Sequence, residues 1–304
     1  MAAKKSRAVD EDINFAPFLY LKYKGDWIYI YRHSISSNVA KIKAASICVV
    51  SKLFHPERFE KLSSVLFEQY SVASDPTKVL EGFLSIFTTG SFKSYDGPSF
   101  NTVDPYLAVS SFRDIFSVLG LETVILWNAV VLKKRILVLA DSPDKLTNIL
   151  RTIPQFAMHR KDWSILRPRV SMEPEHIEDL TSAGVYVAGT CDSALSAKTD
   201  LFDVIFSLSE RRMVVLPHAA SSMKMCSMHR EVGEIMQEAF DANKSSIDIL
   251  RDLARKNAAI LNPIKTLAEG CEGGRLSEEV LATKVSNESL RHFLIRFANA
   301  ENLI

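Results

Sequence analysis

ETVILWNAVVLKKRILVLA, Glu122–Ala140, is the stretch that decides the fold. It reads as a buried helix, a basic break at Lys133–Arg135, and a strand at Ile136–Leu139. The strand is a continuous apolar run without alternation, the pattern of a strand covered on both faces. Further strands are predicted at WSIL (Trp163–Leu166), VYVAG (Val185–Gly189) and DVIFSL (Asp203–Leu208), the last followed at once by RRMVVL (Arg211–Leu216). Helices at Phe112–Leu119, Asp144–Arg151 and Pro174–Thr181 interleave with them, which predicts an α/β layer architecture.

Outward from this core the chain divides into segments. Residues 1–12, MAAKKSRAVDED, read as a disordered charged tail. Residues 13–90 read as a small α/β lobe. PFLYLKY and WIYIYRH flank a turn at Lys24-Gly25-Asp26 as a hairpin, and AASICVV (Ala44–Val50) is apolar enough to be a central strand. A first helix begins at Pro56 and puts Phe59, Leu62, Leu66 and Tyr70 on one face. A second has Asp75 as its cap, Val79, Leu80, Phe83, Leu84 and Phe87 as its inward stripe, and closes at Gly90. Residues 91–105 are polar and turn-rich and read as a linker to the central module at 106–217. Residues 218–304 read as helical. There Ser221 or Ser222 caps a helix whose inner face is Met225, Met228, Val232, Ile235, Met236 and Ala239, and the last helix aligns Leu290, Phe293, Leu294 and Phe297.

The chain has 304 residues, 47% hydrophobic and 24% charged, with a formal net charge of +1. That balance argues against a nucleic-acid partner, which calls for a basic excess. No apolar run reads as long enough to span a membrane, and no apolar h-region follows the first residues. Cys48, Cys191, Cys226 and Cys271 are scattered with no CxxC pair, which fits reduced thiols in a cytosolic protein.

No motif for covalent chemistry stands out. The loop EGCEGGR (Glu269–Arg275) lies away from any strand-to-helix turn, and its glutamates would repel phosphate. GTCDS (Gly189–Ser193) lacks the second glycine of a nucleophile elbow, and a structural Cys191 is the better reading. His218, Cys226 and His229 among methionines have no standard metal-ligand spacing. No catalytic residue, metal or cofactor is therefore expected. The segment Arg151–Val170 is basic. Its residues Arg160, Lys161, Trp163, Arg167 and Arg169 are taken as a candidate partner-binding surface for an acidic partner or lipid headgroups, against the plainer reading of a solvated edge.

The central stretches FRDIFSVLGLETVILWNAVVLKKRILVLA, HRKDWSILRPRV, GVYVAGT and DLFDVIFSLSERRMVVLP follow one another in an order that resembles the DENN-domain family. LKKRI (Leu132–Ile136), MHRKDWSIL (Met158–Leu166) and MHREVGEIM (Met228–Met236) strengthen the likeness to its short endosomal branch. The resemblance implies a truncated longin-like N-terminal lobe plus a DENN-type α/β core with helices on both faces of the sheet and a helical C-terminal tail. Longin-type lobes begin with a hairpin before the PFLYLKY strand. Here the charged tail stands in its place, so two strands are expected to be missing and an apolar sheet face exposed. The resemblance further implies a guanine nucleotide exchange factor for Rab GTPases, cytoplasmic and recruited to late endosomes, with its partner in the groove between lobes near the linker. The alternative it carries is a non-catalytic interaction subunit held by coiled-coil subunits of the Commander endosomal recycling assembly.

Overall fold

The structure, a computed structural model, describes residues 17–34 and 44–304. The tail expected over 1–12 lies outside the described residues. β1 (Phe18–Tyr23) and β2 (Asp26–Ser34) form the expected hairpin, closed by Lys24 at φ 47° and Gly25 at φ 87°. Positive φ at both turn positions matches the strand twist of a tight hairpin, and glycine adopts it without strain. β3 (Ala44–Ser51) pairs with β2, so β2 is the central strand. The expectation of a central β3 is corrected. Among the described residues it is an edge strand, and its residues alternate, with Ile47 and Val49 facing α1 (Pro56–Ala73) while Val50 is 61% exposed. Register places Leu19, Ile30 and Cys48 side by side, and Leu21, Ile28 and Val50 beside them, on the sheet face opposite the helices.

α2 (Pro76–Thr89) starts and ends as the sequence predicts. The Asp75 carboxylate accepts from the Thr77 amide at 2.8 Å, and Gly90 closes the helix at φ 80°. Its inward face is different. A Cβ on Gly82 would lie 2.9 Å from Phe92 and 3.2 Å from Leu66, so α2 approaches its neighbours along its glycine line. Val79 and Ile86 turn inward with Gly82, and the expected stripe rotates outward: Leu80, Phe83, Leu84 and Phe87 are 61%, 41%, 59% and 80% exposed. The linker is itself folded. β4 (Ser91–Phe92) and β5 (Tyr95–Asp96) make a small hairpin, a 3-10 turn follows at Pro98–Thr102, and Tyr95 is buried against α1 and α2.

In the central module, α3 (Phe112–Leu119) and α4 (Thr123–Val131) lead into β6 (Ile136–Leu139). Then come α5 (Pro143–Thr152), β7 (Leu166–Arg167), α6 (Pro174–Ser182), β8 (Val187–Thr190), β9 (Val204–Ser207) and β10 (Arg212–Val215). The sheet order is β10-β9-β6-β8-β7, parallel except for the β9–β10 hairpin. Ile136 and Val138 face α3, α4 and α5, whereas Leu137 faces Leu180 and Ile177 of α6, so both faces are covered. The strand expected at Trp163–Leu166 shrinks to Leu166–Arg167, because Trp163 leaves the sheet line to pack on Phe54.

One expectation about length also changes. Phe112–Val131 is 20 residues of mean hydropathy 1.6, enough by length and composition to cross a membrane. In the fold, Gly120 at φ 54° and ψ −134° breaks it into α3 and α4, which are largely buried in the core.

The chain then continues through α7 (Pro217–Ala220), α8 (Ser227–Asp241), α9 (Ser246–Glu269), α10 (Glu278–Lys284) and α11 (Glu288–Ala300). Neither Ser221 nor Ser222 caps α8; they sit in a 3-10 turn, and Met225 is 45% exposed. The cap is Cys226, whose amide donates to His229 Nδ1 at 3.0 Å. The tail docks through a buried polar bridge: Trp127 Nε1 donates to Asn257 Oδ1 at 2.9 Å, and Asn257 Nδ2 donates to the Phe156 carbonyl at 2.7 Å.

Candidate functional site

Of the five residues taken as a candidate partner-binding surface, Arg160, Lys161, Trp163 and Arg167 make contacts within the chain, and Arg169 lines a cleft. Arg160 donates to the carbonyls of Val130 (2.7 Å) and Val131 (2.6 Å) and to Glu301, which also binds His159 at 3.0 Å, so it fastens the end of α11 to the C-terminus of α4. Burial alone would raise the Glu301 carboxyl, but the His159 hydrogen bond and the Arg160 charge outweigh it and hold the group down to about 2. Lys161 pairs with Asp104 at 2.7 Å across the folded linker. Arg167 pairs with Asp179 of α6. Trp163 is wedged between Phe54 and Tyr106, with ring centroids at 4.5 Å on each side. Arg169, at φ 62°, lines a cleft of about 280 Å³ with Tyr20, Arg151 and Asp144. Nearby carboxylates that sequence spacing cannot place, Glu301, Asp104 and Asp179, neutralise what reads as a basic run.

Aromatic contacts join the two lobes. Trp27 meets Phe54 at 4.4 Å, and Phe54 passes the contact to Trp163 and Tyr106, so aromatic rings run without a gap from the N-terminal sheet into the central module. Beside them Arg151, 4% exposed, donates to Glu57 of α1 and to the Pro105 carbonyl at 2.9 Å. A polar cleft of about 560 Å³ lies between the β1–β2 turn and α6, lined by Lys22, Lys24, Arg167, Glu175 and Asp179.

The outstanding surface feature is one that periodicity could find but not orient. Leu80, Phe83, Leu84 and Phe87 recur at the spacing of one helix face and stand in solvent three residues before the linker. A connected apolar surface with two aromatics has the composition of a protein-contact centre.

The candidate chemical groups are accounted for by structure. Cys191 caps no helix, burial pushes its thiol up, and no imidazole hydrogen-bonds to it. Cys226 and His229 form the α8 cap, with Sγ 3.2 Å from Nδ1. Burial raises the thiol and lowers the imidazole to about 4, so the pair is neutral and unsuited to nucleophilic attack. His218 binds Asp203 at 3.1 Å, which Arg135 also holds. Among the described residues no group of His, Cys, Asp and Glu converges as metal ligands. The loop with Gly273 and Gly274 connects α9 and α10 through positive φ.

Comparison with known proteins fits this architecture. A family described as DENN domain-containing protein 11 matches residues 42–216. DENN domain-containing protein 10 of Danio rerio is 33% identical over 294 residues, covering 94% of this chain and 84% of its own length. The Homo sapiens protein of the same name is 32% identical over 312 residues, covering 99% and 87%. That of Dictyostelium discoideum is 28% identical over 312 residues, covering 94% and 85%. With a parallel-core sheet covered on both faces, a helical tail docked by Arg160 and Asn257, and sequence identity along nearly its whole length, the chain belongs to the DENN-domain family.

Proposed function

We propose that this chain is a guanine nucleotide exchange factor for Rab GTPases in late endosomal trafficking, acting by stabilising the nucleotide-free GTPase. Membership of the DENN-domain family supports a small GTPase as partner, and the observation that carries the reading on this surface is the exposed α2 stripe. Exchange requires no covalent chemistry. A ten-thousand-fold acceleration of release requires the open, nucleotide-free state to be favoured by about 5.5 kcal/mol over the loaded one. That free energy comes from an interface of roughly 1,600 Å² with a few aromatic or arginine anchors. Phe83 and Phe87, 41% and 80% exposed, have the chemistry of such anchors. The aromatic wedge and the Arg151–Glu57 pair make the two lobes one stiff body. A stiff platform directs binding energy into deforming the partner rather than itself.

The second reading is a non-catalytic interaction subunit of the Commander assembly. It draws on the same stripe, whose one-face spacing suits the apolar seam of a partner coiled coil. Pull-down with purified Rabs in the nucleotide-free and GTP-loaded forms separates the two. Capture restricted to the nucleotide-free form supports exchange. Capture of coiled-coil subunits that ignores nucleotide, with no Rab retained, supports the scaffold reading.

A further inference from the structure

A third concavity lies where the C-terminus of α4 meets the amino ends of β6 and β8. It encloses about 260 Å³, and its walls are apolar, formed by Val130, Ile136, Pro154, Ala157, Ile165 and Val187. A dry apolar cavity of about 150 Å³ is enough to hold benzene. This one is larger, and its lining includes two lysines, Lys133 and Lys134.

The charges of the lining residues do not balance among the described residues. Arg160 reaches the cavity but is held by Glu301 and two carbonyls. Asp162 accepts from the Ser164 amide at 2.8 Å. Neither lysine ammonium pairs with a carboxylate, although Lys134 is partly buried. Burial pulls Lys134 below the usual lysine range; the Asp203 charge opposes this, and Arg296 and Arg135 add to it. With Arg160 matched by Glu301, two lysines against one aspartate leave the lining positive. Lys133, at φ 52°, adopts the left-handed backbone conformation that is strained for a residue with a side chain.

We propose that this cavity binds a small amphiphilic anion, with a short alkyl or aryl body against Val130, Ile136 and Val187 and its carboxylate or phosphate between Lys133 and Lys134. The apolar body is held by removal of its surface from water, and the head by two charge-assisted hydrogen bonds near a low-dielectric wall. This site is independent of the α2 surface.

The test uses the full chain and sodium octanoate as probe, followed by calorimetry and by methyl NMR of Val130, Ile165 and Val187. The expected result is saturable one-to-one binding with methyl shifts at those three residues. Octanol should bind at least ten-fold more weakly, and Lys133→Met with Lys134→Met should weaken octanoate by ten-fold or more at unchanged melting temperature. Ala157→Leu, which fills the cavity, should abolish binding. Should that variant fail to fold, the lysine variant and the octanol comparison decide alone. Absence of saturable binding at millimolar octanoate, octanol binding as tightly as octanoate, or indifference to loss of both lysines would each overturn the proposal.

Discussion

Replacing Arg151 with methionine should loosen the joint between the lobes by an amount the structure sets. The guanidinium donates to Glu57, the first-turn acid of α1, and to the Pro105 carbonyl, and it lies 5.8 Å from the Phe54 ring. Removing one member of a buried ion pair costs about 3–5 kcal/mol, mostly because the other charge is left desolvated. The Arg151 side chain is 5% exposed but that of Glu57 is 27% exposed, so water reaches the stranded carboxylate. The expected loss is then about 2–3 kcal/mol. Glu57→Leu should cost more, about 3–5 kcal/mol, because the stranded Arg151 is nearly out of water, and the double variant should recover about 2 kcal/mol of the summed loss, since neither charge of the pair then remains. Urea unfolding followed by tryptophan emission is the assay. Of the three tryptophans, Trp27 and Trp163 sit in the aromatic joint, whereas Trp127 lies in the central core. Single and double variants that add within about 0.5 kcal/mol would refute the clamp, because uncoupled sites behave that way.

Three further outcomes follow from the geometry. A Cβ on Gly189 would lie 2.1 Å from a Leu150 methyl, so Gly189→Ala should destabilise the fold by about 1–3 kcal/mol in chemical denaturation. Stability should fall on acidification in two windows. His229 takes up its proton near 6.5 unfolded but only at about 4 folded, so its contribution is complete above pH 6.5 and lost as the pH falls to about 4. Glu301, held at about 2 against an ordinary 4.5, contributes fully above pH 4.5 and loses that contribution as the pH falls toward 2. Melting curves of His229→Gln, which keeps an acceptor for the cap, should be flatter than those of the parent between pH 6.5 and 4, by about 2–3 kcal/mol of pH dependence. Leu84→Gln with Phe87→Gln should leave the unfolding free energy in urea within about 0.5 kcal/mol of the parent, because both residues stand in solvent, yet reduce acceleration of nucleotide release ten-fold or more.

The fold was largely legible because its signals are local. The unbroken apolar run of β6, the Asp75–Pro76 start and Gly90 stop of α2, and the Lys24-Gly25 turn each declare themselves within a few residues. The orientation of α2 was not legible. Its stripe had the spacing of a buried face, but the close approach at Gly82 depends on Leu66 and Phe92, which only the tertiary fold brings together. The pairing within the basic segment was hidden for the same reason. Arg160 finds its carboxylate 141 residues away in Glu301, and Lys161 finds its own 57 residues back in Asp104. The cap of α8 escaped because cysteine with a histidine three residues on is not the usual serine–glutamate pattern.

The most direct measurement is release of a fluorescent GDP analogue from a panel of purified endosomal and secretory Rabs, with this chain added at micromolar concentration. Exchange predicts dose-dependent acceleration for one or a few Rabs, lost when Leu84 and Phe87 are both replaced by glutamine. Rates that stay at the intrinsic value for every Rab in the panel, under conditions where a longer relative accelerates release, would contradict it and leave the interaction-subunit reading standing.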